Sequence, residues 1–356
     1  MNEAAASVLE IDLAAITTNW RTLDARHAGA TAGVIKADAY GLSAARVAPT
    51  LLAAGCKHFF VAHLGEALAV RELLPSAMLA VLNGILPGEA AAFAARDIVP
   101  VLGSLPEIAL WRGHAAALGR RLPAIVHVDT GMNRLGLPML EVAHGLTLDG
   151  LDVLYVMTHL VSADRPDDAI NQLQAERFTA VRAEFPAGQK YSFANSSGAF
   201  LGALFQSDLA RPGAALYGVN PTPGQANPMR PVVRLAARIL QARDVKAGET
   251  VGYEGFWTAG RDSRIATVAV GYADGYLRAL SNAGSARFDG KVVPLVGRVS
   301  MDLTTFDVTD TGAEVGDYLQ LIGPGHDVDA LAAEAGTNGY EILTSLGGRY
   351  QRRYQG

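Results

Sequence analysis

Cysteine is almost absent from this chain: 356 residues contain one, Cys56. A single cysteine excludes an intrachain disulfide and any zinc site built on cysteines. Within LLAAGCKHFF it has the surroundings of a small core residue, not of a nucleophile. Charge is scarce as well, at 18% of residues and a net −5, so the chain lacks the basic footprint of a nucleic-acid binder. No apolar run reaches the ~20 residues that a membrane-spanning helix needs. The N-terminal MNEAAASVLEIDL has no basic segment followed by an apolar one, so no signal peptide is read there. A soluble, cytoplasmic protein is expected. Apolar residues, by contrast, make up 50% of the chain, which argues for packed cores and against disorder. The length favours two domains.

The first part of the chain alternates short β-rich runs with Ala/Leu/Glu/Arg-rich stretches of helical spacing, such as LGEALAVRELL. Strands are expected at Ala32–Ile35, His58–Ala62, Leu79–Asn83, Val99–Leu102, Ala124–Val128, Val153–Met157, Tyr191–Ala194 and Asp208–Ala210. Most are apolar throughout, as strands buried on both faces of a parallel sheet are. Their number and rhythm predict an α/β (β/α)8 TIM barrel. An open doubly wound sheet is the alternative, but no G-x-G-x-x-G follows the first strand. The proline-rich NPTPGQANPMRP marks a domain edge. Beyond it, strand-like runs with hairpin turns at KAGE and FDGK predict a mostly antiparallel β domain, with only Asn338–Leu346 helical. The division read here is a barrel over 12–228 and a β domain over 229–356, to which residues 1–11 add a strand.

Active-site groups of such barrels sit at the carboxyl ends of the strands. There the sequence places Lys36 and Tyr40, Asp129 and Arg134, His159, the loop 194-ANSSG-198, and Arg211 at the start of RPGAALYG. The loops after strands seven and eight carry hydroxyls and glycine N–H groups, which suit a phosphate. A lysine at a buried strand end loses charge by desolvation and becomes a nucleophilic amine. Together they suggest pyridoxal phosphate held as a Schiff base. Each signal has an ordinary structural explanation, such as a snorkelling lysine or a satisfied core histidine. Their placement on one barrel face carries the weight.

The motifs VIKADAYG, DTGMNRLG, MTHL, ANSSG, RPGAALYG, VGYEGF, AVGYADGY and GRVSMD, in this order from about Glu10 to Arg353, resemble the bacterial alanine racemases. The resemblance implies a barrel-plus-β homodimer with pyridoxal phosphate that interconverts L- and D-alanine and supplies D-alanine for peptidoglycan. Lys36 then resembles the lysine that carries the cofactor. Tyr40 and Ser196, with the backbone of Gly213 and Ala214, resemble the phosphate-binding group, and Asn195 is a further cofactor-binding residue. His159 resembles the histidine beside the ring, and Arg211 the arginine facing its nitrogen. Arg134 and the backbone N–H of Met301 resemble the substrate-carboxylate ligands. Tyr253 resembles the second catalytic base and Tyr272 a residue of the access channel; with Met301 these come from the other subunit. No metal is implied. Two bases on opposite faces of a planar carbanion account for racemisation, Lys36 serving the D face and Tyr253 the L face.

Two positions depart from the family pattern. His127 stands where many members have a lysine that becomes a carbamate and braces the arginine. Gly348 stands where some have a tyrosine near the phosphate. The second departure keeps open a racemase of broader or serine specificity. A decarboxylase on the same plan is disfavoured by Arg211, and a non-catalytic pyridoxal-phosphate barrel by the β domain carrying Tyr253.

Overall fold

The computed structural model describes residues 5–356. Parallel strands form a nearly closed barrel, and its seam lies in the first of them. That strand is interrupted at Ala32 into Ala30–Thr31 and Gly33–Val34. One piece pairs with Leu209–Ala210 and the other with His58–Val61, so the single segment bridges the last strand and the second. The interruption is not a gap in bonding, since Ala32 N–H donates to Ala210 O (2.9 Å) and Val34 N–H to Pro212 O (3.1 Å). Met78–Val81, Ile98–Leu102, Leu122–Asp129, Leu151–Met157 and Tyr191–Ser192 complete the ring.

Alternation along these strands makes two cores. Ala32, Val34, Phe60, Ala80, Val99, Val101, Ile125, Tyr155, Met157 and Leu209 form one buried cluster, the filled barrel interior. Phe59, Val61, Leu79, Val81, Val126 and Val156 point the other way and join the larger core under the helices. This is why runs such as His58–Val61 read as apolar throughout. The helices begin on readable caps: Asp12 Oδ1 accepts from Ala15 N–H (2.8 Å), Ser104 Oγ from Glu107 N–H (3.4 Å) and Asp168 Oδ1 from Ile170 N–H (3.1 Å). After the last two strands, 3₁₀ turns at Gly198–Phe200 and Ala214–Tyr217 replace helices.

A second sheet is organised on the long strand Val233–Val245, which pairs antiparallel with Ser7–Asp12, Ser263–Val268 and Tyr318–Ile322. Ser7–Asp12 also pairs with Gln351–Gln355, in parallel. Of the residues 1–11 expected to supply a strand, the first four lie outside the described residues. The FDGK turn is a two-residue hairpin with Asp289 and Gly290 both at positive φ, 48° and 77°. One expectation is corrected. Besides Gly339–Ser345, this half contains the helix Val328–Ala335, capped by Asp327 and Gly336. Its short apolar stripe, Val328, Leu331 and Ala332, is buried, and the surrounding strand-like texture hid it. Among the described residues, no helix is long and apolar enough to cross a membrane.

Candidate active site

The chain does not merely end a strand at Lys36. The next four residues, Ala37, Asp38, Ala39 and Tyr40, all take left-handed backbone angles, with φ of 52°, 51°, 56° and 55°. Each such L-residue costs about 1–2 kcal/mol, so the surroundings must hold the turn. Ala37 N–H donates to Glu66 Oε1 (2.6 Å), and Ala44 N–H to Asp38 Oδ1 (2.7 Å). Gly41 leaves the turn at φ 80°, where a Cβ would meet Leu343 O at 2.5 Å. The turn brings Lys36 and Tyr40 onto the wall of one cavity of about 700 Å³.

Nine of the residues singled out from the sequence line that cavity: Lys36, Tyr40, Arg134, His159, Asn195, Ser196, Arg211, Gly213 and Ala214. The loops after strands seven and eight lock together. Ser196 Oγ accepts from Gly213 N–H (3.0 Å) and Ala215 N–H (3.2 Å), which leaves the hydroxyl proton free to donate. Gly213 must be glycine, because a Cβ there would lie 2.2 Å from Tyr40 Oη. Tyr40 stacks on Tyr217 (4.7 Å), whose hydroxyl donates to Val34 O (2.9 Å). Asn195 Oδ1 accepts from Gly198 N–H (2.8 Å), so that side chain shapes its own loop.

The lining is also rich in cationic groups, with Lys36, Arg134 and Arg211. Burial lowers the Lys36 pKa, the Arg134 charge lowers it further, and Glu66 works against both. Arg211 is buried and donates to Ser192 Oγ and Thr158 O. Burial brings its pKa down to about 9, which still leaves it protonated at neutral pH. His159 is held by its loop: Gln174 of the helix Ala169–Ala183 donates to His159 O (2.9 Å) and accepts from Val161 N–H (2.9 Å). Burial, then Arg211 and Arg134, drives the His159 pKa down to about 3. His127 lines the cavity too, and burial with the Arg211 charge lowers it to about 4. His127 therefore stands in the cavity as a neutral imidazole. Asp129 accepts from the N–H groups of Gly131, Met132 and Asn133 and so shapes the loop that carries Arg134.

These histidines predict acid lability. Unfolded, each titrates near 6.5. Above that pH neither state binds the proton, and stability is unaffected. As pH falls below about 6.5 the unfolded chain takes up protons first, and stability is lost until the folded-state values of about 4 and about 3 are reached. The slope approaches about 1.4 kcal/mol per pH unit for each histidine. Buried His27 and half-buried His58, whose pKa values are lowered chiefly by desolvation as well, add to it. Thermal unfolding is expected to be flat from pH 8 to 7 and to move steadily lower toward pH 5, with a shallower slope in His127→Asn. An unchanged midpoint at pH 5 would contradict this.

The structure does not bring Tyr253, Tyr272 and Met301 to this cavity. They sit in the second half of the chain, 71%, 43% and 54% exposed. Their loops are tied together: Tyr272 N–H donates to Ser300 O (2.9 Å), and Arg298, in the same stretch, pairs with Glu254 (2.6 Å). Several lining residues escaped the sequence reading. Asn83 follows Met78–Val81 and could have been found by the strand-end rule that found Lys36. Tyr340, edge-on to Tyr40 (6.4 Å), arrives from a distant helix and left no local signal.

Residues 11–221 match the alanine racemase N-terminal domain, and residues 232–354 match the alanine racemase C-terminal domain. The chain belongs to the alanine racemase family. It is 60% identical to the alanine racemase of Acidiphilium cryptum over 97% of both chains, and 45% identical to that of Brucella abortus over 99% of this chain and 94% of the other. Among solved structures, the fold matches the Bartonella henselae alanine racemase with covalently bound pyridoxal phosphate, with a TM-score of 0.95 and 40% identity over 99% of this chain and 100% of that one. The biosynthetic alanine racemase of Pseudomonas aeruginosa matches with a TM-score of 0.91 and 32% identity, at the same coverage.

Proposed function

We propose that this chain is an alanine racemase that uses pyridoxal phosphate, and that two copies assemble to complete each site. The observation that carries the reading is the left-handed turn after the first barrel strand, which presents Lys36 to a cavity lined by Ser196, Gly213 and Tyr40. The residues fit the cofactor. The free Ser196 proton, the Tyr40 hydroxyl and the Ala214 N–H beside the side-chain-free Gly213 would hold its phosphate, Asn195 and His159 would line the space for its ring, and Lys36 would carry the covalent link. When bound, pyridoxal phosphate supplies the aldehyde for that link and the electron-withdrawing ring that acidifies the substrate Cα–H.

The chain's own groups do the rest. Lys36, its charged form disfavoured by burial, takes or returns a proton on one face of Cα. Tyr253 of the second subunit does so on the other. Arg134, with the Met301 backbone N–H of the second subunit, holds the substrate carboxylate, and Tyr272 of that subunit narrows the channel. Arg211 would face the ring nitrogen as a donor that does not surrender its proton, and a ring left unprotonated there would be a weaker electron sink, favouring simple proton return. The dimer reading is supported by Phe256 and Leu303, which are exposed beside Tyr253, Tyr272 and Met301. The product would serve peptidoglycan synthesis from the cytoplasm.

The test is circular dichroism of L-alanine incubated with the cofactor-loaded protein. The optical signal is expected to decay to zero at constant alanine concentration; a persistent signal overturns the reading. One observation favours a second reading of broader or serine specificity: a side chain on Gly348 would meet nothing within 4 Å. Tyr340, from the helix just before Gly348, lines the cavity. Tyr340→Ala is expected to shift kcat/KM toward L-serine over L-alanine by about 10-fold, the scale of one methylene-sized contact. An unchanged ratio would place the selectivity elsewhere.

A further inference from the structure

We infer that Glu66 is a positioning residue for Lys36, clamping the left-handed turn that aims the lysine into the cavity. This rests on the reading that Lys36 carries the cofactor.

Glu66 lies in the first turn of the helix Leu64–Val70. A glutamate there ordinarily returns one carboxylate oxygen to the N-cap backbone and needs nothing more. Here Oε2 does that, accepting from Ala62 N–H (2.7 Å) and His63 N–H (3.2 Å). The other oxygen crosses to a different loop and accepts from Ala37 N–H (2.6 Å). One carboxylate thus joins the loop after the second strand to the residue next to Lys36. Ala62, on the near side of this clamp, also lines the cavity.

The turn needs such a clamp. Ala37 and Asp38 are left-handed and exposed, so core packing cannot hold them there. What holds them is hydrogen bonding: Glu66 Oε1 accepts from Ala37 N–H and Asp38 Oδ1 from Ala44 N–H, while Ala37 O and Asp38 O accept from Gly41 N–H (2.8 Å) and Ser43 N–H (2.9 Å); of these four, the Glu66 bond is the one that comes from a distant part of the chain. If the Ala37 bond is lost, the backbone can relax toward ordinary angles, and Lys36 swings with it. Glu66 also opposes the burial and the Arg134 charge acting on the lysine, consistent with its place beside Lys36.

Glu66→Gln separates this from a plain capping role. An amide has one acceptor oxygen, so it can serve the helix cap or Ala37, but must turn an NH2 toward the other donor. The readout is covalent capture of pyridoxal phosphate by the full-length chain after the cofactor has been stripped. Lys36 Nζ replaces the aldehyde oxygen, releasing one water; borohydride then adds hydride to the carbon–nitrogen double bond. The fixed link is read as added mass on the Lys36 peptide. Capture in Glu66→Gln is expected to slow by about 10- to 100-fold, with kcat for alanine falling alike and KM within about twofold. In Glu66→Gln/Ala37→Gly, glycine enters the left-handed turn without strain and restores the melting temperature. Capture should stay slow there, because the clamp is still absent. Wild-type capture in Glu66→Gln, or recovery of both stability and capture in the double variant, would overturn the inference. Absence of the adduct from Lys36 in the wild-type chain would instead sink the attachment reading beneath it.

Discussion

Lys36→Ala is expected to lower racemisation by at least ~10⁴-fold, because one substitution removes both the covalent anchor and a proton-transfer group. The effect on stability should go the other way. Burial lowers the Lys36 pKa, so the folded state disfavours a charge that the unfolded chain carries freely at neutral pH. Truncation removes that penalty, and the melting temperature should hold or rise. A chain that is no less stable and yet inactive separates a chemical defect from a folding defect, as expected where function is built on a locally unfavourable group. Borohydride treatment should leave no cofactor on the variant. If the variant keeps a tenth of the activity, or still fixes cofactor, the attachment point is another residue.

Much of this site was legible because barrel geometry converts strand ends into one face. That rule needs only the strand assignments, and it is insensitive to errors of one or two residues at their ends: Tyr191–Ser192 is shorter than expected, yet Asn195 and Ser196 still reach the cavity. The left-handed turn was not legible. Lys-Ala-Asp-Ala-Tyr contains no glycine, and nothing in its composition asks for four positive φ angles in a row. One of its partners, Glu66, comes from another loop, and a pairing between residues 37 and 66 is invisible to local pattern. Tyr340 was missed for the same reason, being 300 residues from the tyrosine it meets. Helix Val328–Ala335 is a different case. Its Asp327 and Gly336 caps were readable, but the strands on either side set the expectation for the whole segment. The resemblance supplied what no reading of one chain could: Tyr253, Tyr272 and Met301 belong to the chemistry only if a second copy delivers them.

That dependence gives the second large effect. Tyr253→Phe is expected to cost about 10²- to 10⁴-fold in racemisation, the usual range for losing a positioned acid–base group. Both directions must fall together, because the two enantiomers are equally stable and the ratio of their kcat/KM values is fixed at one. Exchange with solvent need not fall together. In D2O, Lys36 should still wash deuterium into the Cα position of D-alanine, while L-alanine keeps its hydrogen. Exchange into both enantiomers would show that Tyr253 is not the second base. Mixing then tests where the tyrosine comes from. Neither Lys36→Ala nor Tyr253→Phe should be active alone. Refolded together in equal amounts, half of the dimers are mixed, and in each of these one site combines an intact Lys36 with the partner's intact Tyr253. Activity should therefore return to about a quarter of the wild-type level. If each site drew both residues from one chain, no mixture could recover anything, since every site would lack one of the two. A tyrosine 71% exposed on the single chain and absent from its cavity lining is what the shared arrangement requires, and the recovered quarter would measure it.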